Sequence, residues 1–165
     1  MTLLDMVRGL SDAGVRFVMI GGLAMRAQGS NRITEDLDIC YDPAPDNVGR
    51  LVVVLADWHA YLRGVEPGLP FVMDVRAFRT NPIMTLITDR GAIDVMDEVT
   101  GVGGWDAVLA ESEETQWSGT RVRVLSLVGL IKAKRAAARP KDLAQIPELE
   151  ALLKLRHRGP SDQRQ

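Results

Sequence analysis

Asp36 and Asp38 stand one residue apart in the run Thr34-Glu35-Asp36-Leu37-Asp38-Ile39. Strand side chains alternate between faces, so both aspartates point to one face while Leu37 and Ile39 point to the other. Two carboxylates held side by side above an apolar face repel one another unless a cation neutralises them. Mg2+ fits such a pair, because it takes one or two protein carboxylates and completes its shell with water and substrate phosphate oxygens. Taken alone, an acidic pair of this kind also suits the solvated face of an edge strand. The residues upstream bear on that choice. The apolar run Phe17 to Ile20 leads directly into Gly21-Gly22, and glycines at the opening of a helix let backbone amides come close to a phosphate. A phosphate-cradling turn and a metal-binding pair thus lie about one short helix apart.

The pattern G-G-x-A followed by G-x-x-R-x-T-x-D-L-D-I, here Gly21 to Ala24 and Gly29 to Ile39, resembles the polymerase-beta-like nucleotidyltransferases. Within that superfamily it is most similar to the abortive-infection toxin type and to the minimal nucleotidyltransferases of prokaryotes. The resemblance implies a third carboxylate on a later strand. Asp94, flanked by Ile93 and Val95, fills that role, since an acid inside an apolar strand is costly unless paired or metal-bound. The abortive-infection type also carries a lysine on a late helix and then an R-x-K-D-L sequence, matched here by Lys134, Arg139, Lys141 and Asp142. Lys132, Lys134, Arg135, Arg139 and Lys141 place five cations within ten residues. On its own this segment reads more readily as the solvated face of a basic helix; beside a metal and phosphate site the functional reading is the better one.

What the resemblance implies is transfer of a nucleoside monophosphate from an NTP to an acceptor hydroxyl. Asp36, Asp38 and Asp94 are then both catalytic and metal-binding, holding two Mg2+ ions, with Asp94 also placed as a general base. Gly21, Gly22, Arg32, Thr34, Lys134, Arg139 and Lys141 are the expected nucleotide-binding set. Many superfamily members have Ser where this chain has Gly22, so only a backbone amide is available there. The acceptor is expected to be a tRNA or a protein, in a toxin role with a cognate antitoxin as partner. Two other readings stay open. One is a transferase that modifies a small molecule such as an antibiotic. The other is a non-catalytic module, an antitoxin or regulator that binds nucleotide.

The remaining elements must position these groups. Leu3, Val7 and Leu10 have helical spacing and Gly14 follows as a stop, predicting a first helix over Thr2 to Ala13. Val15 to Ile20 reads as a strand, Gly21 to about Gln28 as a helix, and Thr34 to Tyr41 as the acid-bearing strand. Val48, Leu51, Val52 and Leu55 stripe a helix that ends near Trp58. Tyr61 to Val65 suits a strand and Phe71 to Phe78 suits either strand or helix. Ile83 to Thr88 and Ala92 to Met96 read as a hairpin around Asp89-Arg90-Gly91. Gly101 to Gly104 reads as a mobile loop and Trp105 to Ala110 as a helix. Glu111 to Glu114 reads as a solvated run and Thr120 to Leu125 as a strand. Ser126 is the expected cap of a helix to about Ala138. Pro140 starts another, which Pro147 should break or kink. The expected class is α+β: a small mixed sheet flanked by helices, with helices at the C-terminus. One domain over 1–157 and a frayed tail over 158–165 are expected.

The 165 residues, 46% of them hydrophobic, suffice for one core. A formal charge of -2, from 20 basic and 22 acidic side chains, supplies no general attraction for nucleic acid. The lone Cys40 excludes an internal disulfide and suits a reducing compartment. No run approaches the roughly 20 apolar residues of a membrane span, so a cytoplasmic protein without a membrane partner is expected. His59 and His157 are isolated, Trp105 and Trp117 read as packing residues, and the oligomeric state is left open.

Overall fold

The computed structural model describes residues 2–159. Helix α1 (Leu3–Asp12) is capped by Thr2, whose side chain accepts from Asp5 N–H while the Asp5 carboxylate accepts from the Thr2 backbone, a reciprocal box that satisfies two helix-end donors. Strand β1 (Phe17–Ile20) runs into helix α2 (Gly21–Ala27), and β2 (Asp36–Tyr41) returns antiparallel beside β1. Helix α3 (Pro45–Asp57) has Pro at its first position, where no backbone donor is missed. There follow β3 (Tyr61–Leu62), α4 (Val75–Thr80), β4 (Met84–Thr88), β5 (Gly91–Met96), β6 (Glu98–Val99), β7 (Gly103–Gly104), α5 (Trp105–Ala110), β8 (Ser112–Trp117), β9 (Thr120–Leu125), α6 (Leu127–Ala137) and α7 (Pro140–Arg158).

Among the described residues, seven strands form one mixed sheet in the order β3-β4-β5-β2-β1-β9-β8, while β6 and β7 pair separately. The expected architecture, a mixed sheet flanked by helices with two helices at the C-terminal end, is present. Strands β2 and β5 are parallel neighbours, and β1 is parallel to β9. Parallel pairing demands a long crossover, here everything from α3 to β4. The fully buried Leu37, Ile39, Ile93 and Val95 anchor β2 and β5 through one face; burial of each such side chain contributes about 1.5–3 kcal/mol. The alternate residues Asp36, Asp38 and Asp94 are only half-buried on the other face. Among the described residues, no helix is long and apolar enough to cross a membrane.

Three local expectations need correction. Glu111 to Glu114 is largely strand β8, paired antiparallel with β9; Glu111 and Glu113 meet Lys132 and Arg156 at 2.7 and 2.8 Å, which makes an acidic strand tolerable. The glycines at 101–104 are not a free loop. Gly101 turns with φ +86° so close to α6 that a Cβ would lie 2.5 Å from Ala136 Cβ and 2.7 Å from the Lys132 carbonyl oxygen. Helix α7 continues through Pro147. Pro147 shares the exposed face with Leu143 and Ala144, so the carbonyl deprived of its donor can turn to water. The helix ends at Arg158, where the expected tail begins, and 160–165 lie outside the described residues. In addition, the Phe71 to Phe78 segment resolves into a loop and α4, capped by Asp74, and only Tyr61–Leu62 of the Tyr61 to Val65 run is strand.

Candidate active site

The strand register assembles the carboxylates. Asp38 lies directly opposite Ile20 on β1 and Asp94 on β5, and Asp94 opposes Thr85 on β4. Residues opposed across strands share a face, so Asp38 and Asp94 are side by side, with Asp36 two residues back along β2. The three can each place a carboxylate oxygen within 4.8 Å of the others. Gly21 is demanded by this arrangement. It has φ +63°, a region that favours glycine, and a Cβ on it would stand 2.2 Å from Asp38 Oδ2. Gly22 makes room for a different neighbour, since its Cβ would stand 2.8 Å from Thr34 Oγ1. Thr34 in turn donates its hydroxyl to the Asp36 carbonyl and carboxylate at 3.2 and 3.3 Å, tying the chain before β2 to the first acid.

Charge within the cluster is unbalanced. Burial, followed by the Asp36 and Asp94 charges, pushes the Asp38 carboxyl up to about 7, with Lys134 pulling the other way. Burial also raises Asp94, against the opposing charge of Arg63. A carboxyl that resists ionisation because it is desolvated among its own kind has an incentive to bind a cation. An all-oxygen donor set of three carboxylates suits a hard ion such as Mg2+ or Mn2+, so these residues fit the metal that the resemblance implies.

The opposite wall is basic, its cations paired with carboxylates of α7. Asp142, 1% exposed, accepts from Arg139 Nε at 2.6 Å and Lys134 Nζ at 3.3 Å. Its burial would raise its pKa, yet the bonds from Arg139 and Lys134 hold it below the usual carboxylate range. The Asp142 carboxylate thereby brackets Lys134 on α6 and Arg139, the residue that leads into α7. Arg32 donates to Glu148 on α7 at 2.8 Å, and Ser30 donates to the other Glu148 oxygen at 2.8 Å. Lys141 is exposed at the rim.

All of the residues singled out from sequence, Gly21, Gly22, Arg32, Thr34, Asp36, Asp38, Asp94, Lys134, Arg139 and Lys141, line a single cleft of about 680 Å3. Its apolar walls include Ile33, 91% exposed, and Ile83. A cleft with a few convergent charged groups on apolar walls is the usual form of a small-molecule site. The residue that sequence reasoning missed is Arg63. Its Nη2 donates to Asp94 Oδ1 at 2.7 Å and its Nη1 lies 3.8 Å from Asp36 Oδ2. It follows the two-residue strand β3, where no periodicity announces which way a side chain points; only the strand order reveals that it reaches Asp94. His59 pairs with Asp89 at 2.5 Å on the surface, away from the cleft lining, and Cys40 is a buried core residue.

No family model matches the sequence, and no curated protein matches it. Among solved structures, the chain is similar to the crystal structure of a Thermotoga maritima protein provisionally described as a nucleotidyltransferase. The two share 16% identity over 96% of each chain, with a TM-score of 0.47.

Proposed function

We propose that the cleft transfers a nucleoside monophosphate from an NTP to an acceptor hydroxyl. One observation carries this reading: three carboxylates from parallel neighbouring strands converge beside a glycine turn, in a cleft whose far wall is basic. The new bond joins the acceptor oxygen to the α-phosphorus, the bond from that phosphorus to the bridging oxygen breaks, and pyrophosphate leaves. Asp36, Asp38 and Asp94 would hold two Mg2+ ions, which when bound neutralise phosphate charge and acidify the acceptor hydroxyl.

The chain's own groups supply position. Lys134 and Arg139, fixed by Asp142, face the acids across the cleft, and with Arg32 and Lys141 they hold the triphosphate. The amides of Gly21 and Gly22 approach a phosphate oxygen from the other side. Thr34 keeps Asp36 aimed at the site. Asp94, raised by burial, accepts the acceptor's proton. Holding reactants in line against preset charge supplies most of the rate in phosphoryl chemistry. The abortive-infection resemblance extends the proposal to a toxin that modifies a tRNA or protein hydroxyl and is restrained by an antitoxin.

The test is incubation of the purified chain with Mg2+, each of the four labelled NTPs and total cell extract, beside Asp36→Ala/Asp38→Ala. Label entering an RNA or protein band only with the intact chain is the expected result and identifies the base and the acceptor class together. An intact chain that binds Mg2+ and NTP but labels no band, and releases no pyrophosphate, overturns the reading.

A further inference from the structure

The row of residues that builds the site continues one strand beyond Asp94. Asp38 opposes Asp94, Asp94 opposes Thr85, and the Arg63 N–H donates to the Thr85 carbonyl at 3.0 Å. Arg63 thus enters the acid cluster from the β3 edge, and its guanidinium lies between two of the three acids. Nη2 is 2.7 Å from Asp94 Oδ1 and 3.1 Å from the Leu86 carbonyl oxygen, while Nη1 is 3.8 Å from Asp36 Oδ2. Lys134, the cation that moderates Asp38, comes from α6 across the cleft. The two sides of the cluster are therefore unequal: the Asp36/Asp94 side already carries a cation held at hydrogen-bond distance, and the Asp36/Asp38 side does not.

The hold on Arg63 is incomplete. Its Nε is buried with no hydrogen-bond partner among the described residues, and an unsatisfied buried donor weighs against the conformation that strands it. The residue follows a strand of only two residues at the sheet edge, and its side chain is 34% exposed. A guanidinium so placed can swing outward without disturbing the core.

We infer, resting on the metal-site reading above, that Arg63 is a tethered counter-ion that competes with a divalent cation for the Asp36/Asp94 side. A cation bound to Asp94 must give up or share the carboxylate that Arg63 occupies, and two positive groups on one carboxylate repel. With nucleotide alone the site then holds one divalent ion, on Asp36 and Asp38. The second position opens only when the guanidinium swings out.

The experiment counts Mn2+ bound to the full-length protein, by electron paramagnetic resonance, in the presence of a non-hydrolysable NTP analogue and no acceptor. The wild type is expected to bind one ion in the range where Arg63→Met binds two, the second ion gaining affinity by roughly tenfold or more, and Arg63→Lys to behave as wild type. Equal ion counts and affinities in wild type and Arg63→Met overturn the role of Arg63 and leave the metal site standing. No Mn2+ bound to either protein overturns the metal site itself. Thermal melting separates this role from a purely structural ion pair. Arg63→Met should melt lower than wild type without metal and match it at saturating Mn2+. A deficit of the same size under both conditions overturns the proposal.

Discussion

The two ends of β2 each gather acids around an arginine, and they do so to opposite effect. At the Tyr41 end, Asp42 takes Arg16 Nε at 2.7 Å, and Asp46 accepts both Arg16 terminal nitrogens at 3.1 Å and Arg50 at 3.2 Å. The hydrogen bond from Arg16 holds Asp46 below the ordinary carboxylate range. The fully buried Asn47 completes that cluster by accepting from Arg16 N–H and donating to the Arg16 and Asp42 carbonyls. These bonds tie Arg16, Asp42 and the start of α3 together, so the cluster fastens α3 to the sheet. At the Asp36 end, three half-buried acids share Arg63 and the more distant Lys134, and Asp38 is pushed up to about 7. A closed polar network stabilises, and an open one with surplus like charge is poised for something from outside.

Substitutions should separate the two ends cleanly. Asp38→Asn at the open end should abolish nucleotide transfer, by about a thousandfold or more in kcat/KM, while the metal-free melting temperature stays level or rises because repulsion is relieved. Gly21→Ala should follow, with transfer down on the order of a hundredfold, since a Cβ would collide with Asp38 Oδ2 at 2.2 Å in a backbone with φ +63°; steady-state kinetics and the Mn2+ affinity report both consequences. Asn47→Ala at the closed end should do the reverse. It strands the Arg16 N–H and two carbonyls, costing about 2–4 kcal/mol in denaturant unfolding, and leaves kcat at permissive temperature unchanged.

A smaller effect comes with pH. The folded Asp38 titrates near 7 against an ordinary value of 3.8, so between those values the folded protein keeps a proton that the unfolded chain has released. The associated stability is present below the lower value and lost as pH rises through the upper one. Metal-free melting temperature should therefore fall by about 5 °C from about pH 5 to about pH 8, and saturating Mg2+ should flatten that slope. A slope unchanged by Mg2+ would separate the acid cluster from metal binding. The smallest expected change belongs to Lys141→Ala, which should raise the KM for NTP severalfold with no shift in melting temperature, because Lys141 is exposed.

Much of the open end was legible in the sequence because its logic is local. The one-residue spacing of Asp36 and Asp38, the acid between Ile93 and Val95, and the glycine pair after an apolar run each carry their meaning within a few residues. All of them meet in one cleft. Asp142 was singled out as part of a motif, but its near-complete burial as the bracket of two cations was not foreseen. Arg63 was invisible because its role depends on β3 joining the sheet beside β4, and two residues of strand leave no periodic trace. Strand β8 was hidden by Glu113 and Glu114, whose composition suggests solvent until Arg156 and Arg123 are brought alongside. Gly101 looked like freedom and proved to be a tight fit against α6.

The position of β1 in the sheet also constrains how the protein can be made. This strand, which leads into the glycine turn, lies between β2 and β9, and β9 does not begin until Thr120. A chain growing on the ribosome therefore exposes one open edge of a central apolar strand until β9 has been synthesised. Exposed edges of this kind recruit other chains. Fragments that stop short of Leu125 should be insoluble.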